Sequence, residues 1–348
     1  FGKLHGMHER PCVSAALKTI IKQTMSNYIY SAPTGDGWLN LARDGYFLEN
    51  NKKGDVILYF YVNKNAVIIG RNQNAWKECS IANMDADGVQ LVRRHSGGGA
   101  VFHDNGNLNF SFITDEKHYD LNRQMRVILN AVSKIGLKAE LSGRNDITVD
   151  GKKFSGNAFS LAKGNRSHHG TILVNADLTK LSNYLCVSKE KMRSKGIDSV
   201  RARVCNLCEL SSGLTVEAMR RLVIESFIEE YGAASEYVFD GTALAEVEER
   251  RERLASWEWR FGKTPQFDFE TDKRFSFGDT QIYFNLRDGV IRETKVYSDC
   301  LDTELTTEIE NALTGVHFRK EEIKAALSKM KDQNIAAELA EHFCSLDI

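Results

Sequence analysis

Three consecutive glycines, Gly97, Gly98 and Gly99, stand just behind Arg93 and Arg94 in RRHSGGGAVFHDNGNLNFSF, so that main chain must come close to something at this point. Without a Cβ, glycine lets the backbone approach a neighbour and reach φ > 0, while arginine carries a planar fork of donors matched to phosphate or carboxylate. The two arginines and three glycines read as an anion cradle between two strands. A glycine-rich turn flanked by solvated arginines would have the same local sequence. The flanking segments favour the cradle.

Downstream, SGRNDITVDGKKFSGNAFS (Ser142 to Ser160) alternates Ile147 and Val149 with polar residues, then gives Asp150-Gly151, then resumes an extended pattern from Lys152 to Phe159. Asp-Gly is favoured in the type I′ turn because both central residues need φ > 0, so the segment predicts a β-hairpin. In a regular strand Lys153 faces away from Phe154, the natural core residue. A lysine held on a strand can meet a carbonyl or phosphate oxygen as negative charge develops there, although most strand lysines are simply solvated.

The apolar run AVII (Ala66 to Ile69) precedes GRNQNAWKEC, and NRSHHGTILVNADL (Asn165 to Leu178) puts His168, His169 and Gly170 ahead of the β-branched run TILVN. Both segments place polar residues at a strand end, with the two histidines expected at their strand's entrance. Zinc ligation by them is disfavoured. No second cysteine or histidine pair stands at metal-site spacing, and adjacent strand residues point to opposite faces.

Taken together, GRNQNAWKEC, RRHSGGGAVFHDNGN, SGRND, KKFSG and HHGTILVNADL resemble the lipoate–protein ligase A family, in the same order and at similar separations. The resemblance runs from about Trp38 to WEWRFGKTPQF (Trp257 to Phe267), and the segment beyond is similar to the small accessory domain of the longer ligases. It implies an ATP-dependent reaction in two steps. Lipoate and ATP, with Mg2+, give lipoyl-AMP and pyrophosphate; the lipoyl group then passes to a lysine of an acceptor, either a lipoyl domain of a 2-oxoacid dehydrogenase E2 subunit or a glycine-cleavage H protein.

The resemblance further implies a site for ATP and lipoyl-AMP lined by Arg94, Ser96, Gly97, Gly98, Gly99, Ala100, Val101 and Phe102, with Gly106 and Asn107 behind them. Asp146, Lys153, Gly156 and Ala158 complete it from the second motif. Lys153 is the implied catalytic cation, contacting the carboxyl or acyl-phosphate oxygen, and Asp146 an implied partner of the adenylate or of magnesium. Arg71, His103, Asp104 and His169 are implied supports. No metal cage of protein ligands is expected, because magnesium keeps several waters. Two positions depart from the family pattern: Ala75 stands where proline is usual, and Asn157 where serine or threonine is more common.

The 348 residues are 42% hydrophobic, enough for a sizeable core in about two domains. Lysine and arginine total 46 against 47 acids, and a net charge of −1 gives no general attraction for nucleic acid or membrane. Basic residues gather at Arg93, Arg94 and His95 and again from Lys191 to Arg203, the second group able to bind phosphate or meet an acidic acceptor domain but reading first as a solvated face or flexible loop. Seven cysteines without framework spacing favour free thiols in a reducing cytoplasm, and Cys205-Asn-Leu-Cys208 lacks the second ligand pair that zinc needs. No apolar run reaches the roughly eighteen residues of a membrane span. Residues 1–24 resemble nothing in the family and read as an N-terminal extension or a vector-derived remnant.

Leu39, Ala42, Tyr46 and Phe47 lie at helical spacing. So do Met125, Val127, Ile128, Ala131, Val132 and Ile135 before a stop at Gly136, and Val216 to Tyr231 repeats the pattern. With the hairpin signals these give an α+β fold, and the resemblance implies the mixed, largely antiparallel sheet of biotin and lipoyl ligases. A catalytic domain over 25–264 and a small α+β accessory domain over 265–348 are separated at Pro265, behind the charged stretch Glu246 to Arg253. Arg274 to Tyr297 then alternates around Arg287-Asp288-Gly289, and two or three helices follow from Thr303. The chain is expected to act as a monomer. Two rivals remain: an ATP-independent octanoyl or lipoyl transferase using Cys79 or Cys186, and a non-catalytic binder of lipoate or nucleotide.

Overall fold

In the computed structural model, which describes residues 26–143, 145–186, 204–261 and 268–346, strands pair into three sheets. In chain order they are β1 (Ser26–Ser31), β2 (Asp55–Tyr61), β3 (Ala66–Ile69), β4 (Gln90–Arg93), β5 (Val101–His103), β6 (Asn107–Asp115) and β7 (Ala139–Ser142). There follow β8 (Asp146–Val149), β9 (Lys152–Ala162), β10 (Asn165–Leu173), β11 (Ser235–Glu236), β12 (Phe269–Phe275), β13 (Gly278–Arg287) and β14 (Val290–Ser298). The extension 1–24, the basic run from Lys191 to Arg203 and the boundary at Pro265 lie outside the described residues.

The largest sheet has the order β11-β1-β2-β6-β10-β9-β8-β7. β1 runs parallel to both its neighbours and the other pairs are antiparallel, as expected of a mixed, largely antiparallel α+β fold. Every residue of the central strand β6 is buried, and its two faces differ in kind. Leu108, Phe110 and Phe112 join Ile128, Val132 and Phe227 under the helices Leu121–Ser133 and Val216–Tyr231. The alternate residues Asn107, Asn109 and Ser111 share the opposite face with Tyr59 and Tyr61, beneath the helix Gly37–Asn50. Buried polar groups on a strand need partners or a cavity, and this face has a cavity.

Local signals account for much of this. Asp36 caps the helix Gly37–Asn50 through Trp38 N and Leu39 N, and Asp120 caps Leu121–Ser133 through Arg123 N. Asp150 (φ 50°) and Gly151 (φ 75°) form the expected two-residue hairpin turn. One regularity fails: Ile147 pairs with Ser155 but Thr148 with Lys153, so Phe154 is the extra residue of a β-bulge. Phe154 and Ser155 are consequently both buried, and Lys153 leaves the core side for the cavity. The histidines also differ from expectation. His168 and His169 sit inside β10, opposite Phe112 and Ser111 of β6, because cross-strand pairing recruits Asn165 to Ser167 despite their weak strand preference.

The charged stretch Glu246 to Arg253 belongs to the helix Gly241–Ala255, which packs on the helix Gly37–Asn50. Arg250 reaches Glu49 at 2.9 Å and Arg251 reaches Asp36 at 2.8 Å. After the linker, β12-β13-β14 form a separate sheet turned at Asp288 (φ 54°) and Gly289 (φ 72°). Helices Leu305–Leu313, Lys320–Leu327 and Gln333–Ser345 cover it around Phe284, Ile291, Ile309, Leu339 and Phe343. Among the described residues no helix is long and apolar enough to cross a membrane.

Candidate active site

The helix Gly37–Asn50, the β4–β5 loop and the polar face of the large sheet enclose a cavity of about 330 Å³. Leu41, Leu48 and Ile68 give it apolar wall. Arg94, Ser96, Gly98, Gly99, Ala100, Val101, Phe102, His103 and Asn107 line it from the glycine loop and the strands that follow. Lys153, Gly156, Ala158 and His169 line it from β9 and β10. The structure thus gathers most of the implied site into one space. Gly97, Gly106, Asp104 and Arg71 stand behind or beside it. Asp104 accepts from Gly106 N (2.9 Å) and Asp177 N (2.7 Å), and Arg71 lies on the surface, 3.4 Å from Glu304.

The two arginines of the cradle divide. Arg93 does not face the cavity: its Nη1 donates to the carbonyls of Gly70, Arg71 and Gln73, and its Nε and Nη2 to those of Trp259 and Arg260. It ties the glycine loop's base to the helix Trp257–Phe261, and the reading of Arg93 as anion ligand is corrected accordingly. Arg94 lines the cavity but spends donors on its own loop, from Nε to Ser96 Oγ (3.1 Å) and from Nη2 to the carbonyls of Gly97 (2.7 Å) and Gly99 (2.9 Å). Burial pulls both guanidinium groups down to about 10, which leaves them charged at neutral pH.

Part of the reason for the glycines is the chain's own packing. The loop after β14 lies on them, with Cys300 O accepting from Gly98 N at 3.1 Å. A Cβ on Gly97 would collide with the carbonyl oxygens of Cys300 and Leu301. Ser298 N donates to Asn72 O (2.8 Å) and Asn72 Nδ2 to Thr303 O (2.9 Å), which fastens the C-terminal unit beside the cradle.

On the opposite wall, the Lys153 ammonium is 2.7 Å from Asp146 Oδ1 across the hairpin, each side chain about one-third exposed (35% and 37%). The backbone of Lys153 is held as well, its carbonyl accepting from Cys205 N at 3.0 Å. This is a pre-aimed cation with one carboxylate neighbour, facing a loop of main chain and a partly apolar cavity. Such an arrangement can offset negative charge developing on an acyl or phosphoryl oxygen.

The polar wall carries groups that sequence periodicity does not single out. Asp44 Oδ1, His103 Nε2 and Asn107 Oδ1 are buried without a protein partner. Burial pushes the Asp44 carboxyl up to about 6 from 3.8, with only Ser111 drawing it down, and holds His103, His168 and His169 down at about 3 against an ordinary 6.5. These act oppositely on stability. The histidines must stay neutral in the fold, so their contribution is full above pH 6.5 and is lost as pH falls toward 3; Asp44 opposes folding once pH rises past its unfolded value. Three groups outweigh one, and net acid destabilisation is expected below pH 6.5, read as a falling urea midpoint. Asp44→Asn should match the parent below pH 3.8 and exceed it above pH 6.

The described cysteines are free thiols. Cys205 is buried and the Cys208 thiol points to Asn175 Oδ1, and among the described residues no three His, Cys, Asp or Glu side chains group as for a metal ion.

Comparison with known proteins agrees with this geometry. The lipoyl protein ligase A/B catalytic domain model matches residues 36–228 and the bacterial lipoate protein ligase C-terminus matches residues 264–346. A lipoate-protein ligase A of Psychrobacter cryohalolentis is 40% identical over 302 residues, 84% of this chain and 89% of that protein. Another, from Bdellovibrio bacteriovorus, is 36% identical over 304 residues, 85% and 90% of the two chains. Among solved structures, P. falciparum LipL1 in complex with lipoate superposes with a TM-score of 0.81 at 29% identity, covering 92% of this chain and all of that one (100%). A lipoate-protein ligase A bound with ATP gives 0.59 at 27% identity, covering 69% and 99%. With the catalytic-domain match spanning more than half of the chain and the accessory-domain match following it, the protein belongs to the lipoate–protein ligase A family.

Proposed function

We propose that the chain activates lipoate with ATP to lipoyl-AMP, releasing pyrophosphate, and passes the lipoyl group to a lysine of an acceptor domain, acting as a cytoplasmic monomer. One observation carries this: Lys153, ion-paired with Asp146 at 2.7 Å, projects into a mostly apolar cavity opposite the glycine loop. A carboxylate and an amine do not condense in water until the acid acquires a good leaving group. Lys153 offsets charge on the carboxyl and α-phosphoryl oxygens as they join, while the main chain at Gly99 to Phe102 holds the nucleotide and Leu41, Leu48 and Ile68 receive the acyl chain. Magnesium would travel with ATP. The partly exposed Asp146 carboxylate is a hard oxygen donor suited to it, and the remaining coordination would be water and phosphate.

The related structures with lipoate, with ATP and with an E2 lipoyl domain support the choice of substrates and of a lipoyl domain as acceptor, and a glycine-cleavage H protein is the second acceptor proposed. The transferase reading fares worse. A nucleophilic cysteine needs a depressed pKa, yet burial pushes the Cys79 thiol up to about 12 and raises that of Cys186 too. A pure binder would have no use for a cation aimed at the reacting oxygen. Incubation with lipoate, ATP and magnesium is expected to release pyrophosphate without any acyl carrier protein, and adding an apo lipoyl domain should give its lipoylated mass. Acceptor modification that needs an acyl carrier protein but no ATP would overturn the proposal.

A further inference from the structure

Asn157 is the hub of a buried hydrogen-bond chain. It is 3% exposed, on β9 opposite Gly170 of β10. Its backbone and side chain both clasp Asn145: Asn157 N donates to Asn145 O at 2.8 Å, Asn157 Nδ2 to the same oxygen at 3.0 Å, and Asn145 Nδ2 returns a bond to Asn157 O at 2.7 Å. On its other side Asn157 Oδ1 lies 2.9 Å from His168 Nε2, and His168 Nδ1 lies 3.1 Å from the Gln124 amide on the helix Leu121–Ser133. Glycine at 170 makes this possible, since a Cβ there would stand 2.5 Å from Asn157 Oδ1.

The donors and acceptors can be assigned by elimination. A carbonyl only accepts, so Asn145 O fixes Nδ2 on its side and leaves Oδ1 toward His168. His168 Nε2 therefore carries the hydrogen. A neutral imidazole then has an accepting Nδ1, so the Gln124 amide must turn its Nε2 toward it, which also gives a partner to a buried nitrogen that otherwise has none. Each contact along the chain Gln124–His168–Asn157–Asn145 then joins one donor to one acceptor. Such a network, once complete, holds one geometry.

The residue after Asn145 is Asp146, the carboxylate paired with Lys153, and the bulge at Phe154 separates Lys153 from the β9 residues held by the network. We propose that Asn157 is a positioning residue: its amide couples His168 to Asn145 and so holds the Asp146–Lys153 pair in register across the bulge. It acts through Asn145 and Asp146, not on the reacting atoms. The kinetic part of this inference rests on the lipoate-activation reading.

Two measurements test it. Asn157→Ala is expected to lower kcat for pyrophosphate release by about 10- to 100-fold with KM for ATP little changed, and to have no further effect in an Asp146→Asn background. Independently of any substrate, acetic anhydride should acetylate Lys153 several-fold faster in Asn157→Ala than in the parent, read by peptide mass, because the ion pair has loosened. Unchanged Lys153 labelling, or effects that add in the double variant, would overturn the proposal. An inactive parent would refute the lipoate reading and still leave the labelling to decide the role of Asn157.

Discussion

Replacing Lys153 with alanine is expected to cut lipoyl-AMP formation by roughly 10²–10³ while ATP binding stays largely intact. The ammonium is aimed before substrate arrives, by the Asp146 contact at 2.7 Å and by the Cys205 N–H on the Lys153 carbonyl. In the proposed reaction it would stabilise charge without reorganising, and its contribution would appear in the transition state more than in the ground state. Pyrophosphate release and calorimetric ATP titration on the same preparation separate the two. Near-normal turnover in Lys153→Ala would remove the residue from the mechanism.

The second large effect is on stability. Arg93→Met is expected to destabilise the fold by at least about 2 kcal/mol, because a buried carbonyl left without its donor costs roughly 1–3 kcal/mol and, of the five carbonyls Arg93 serves, those of Gly70 and Gln73 are bonded in the interior. Lysine should not rescue it. One ammonium at the end of a flexible stem cannot span acceptors on both sides of a planar fork. Urea unfolding monitored by tryptophan fluorescence reads the change, with Trp259 beside the lesion, its Nε1 donating to Arg93 O at 2.9 Å. A midpoint like the parent's would mean that the clamp contributes little.

Arg93 also marks where sequence reasoning stops. Its partners at Trp259 and Arg260 lie 166 and 167 residues away, and no spacing or composition connects them. What is written locally was legible: the Asp150-Gly151 turn, the helix Leu121–Ser133 with its apolar stripe, which ends three residues before the expected stop at Gly136, and the strand pattern of AVII. Lys153 on a strand was legible too, but not the bulge that steers it, since one extra residue leaves no trace in an alternating pattern. Asp44, His103 and Asn107 become a buried set only when the helix Gly37–Asn50 settles on the sheet. In the sequence Asp44 is an ordinary polar residue, and only the family resemblance marked His103 and Asn107. The adjacent histidines were expected to face opposite ways and they do, His169 toward the cavity and His168 toward Gln124; their place inside β10 came from pairing with β6.

The bond from Gly98 N to Cys300 O joins ligand chemistry to the placement of the C-terminal unit. One N–H serves one strong acceptor well. An incoming phosphate that claims this donor competes with a carbonyl of the protein itself, so the free energy of releasing Cys300 is subtracted from its affinity, and by reciprocity the bound phosphate weakens the grip of the accessory unit by the same amount. On the proposed reading, the tail of the chain would act as a thermodynamic counterweight to nucleotide, coupled to it through a single amide hydrogen.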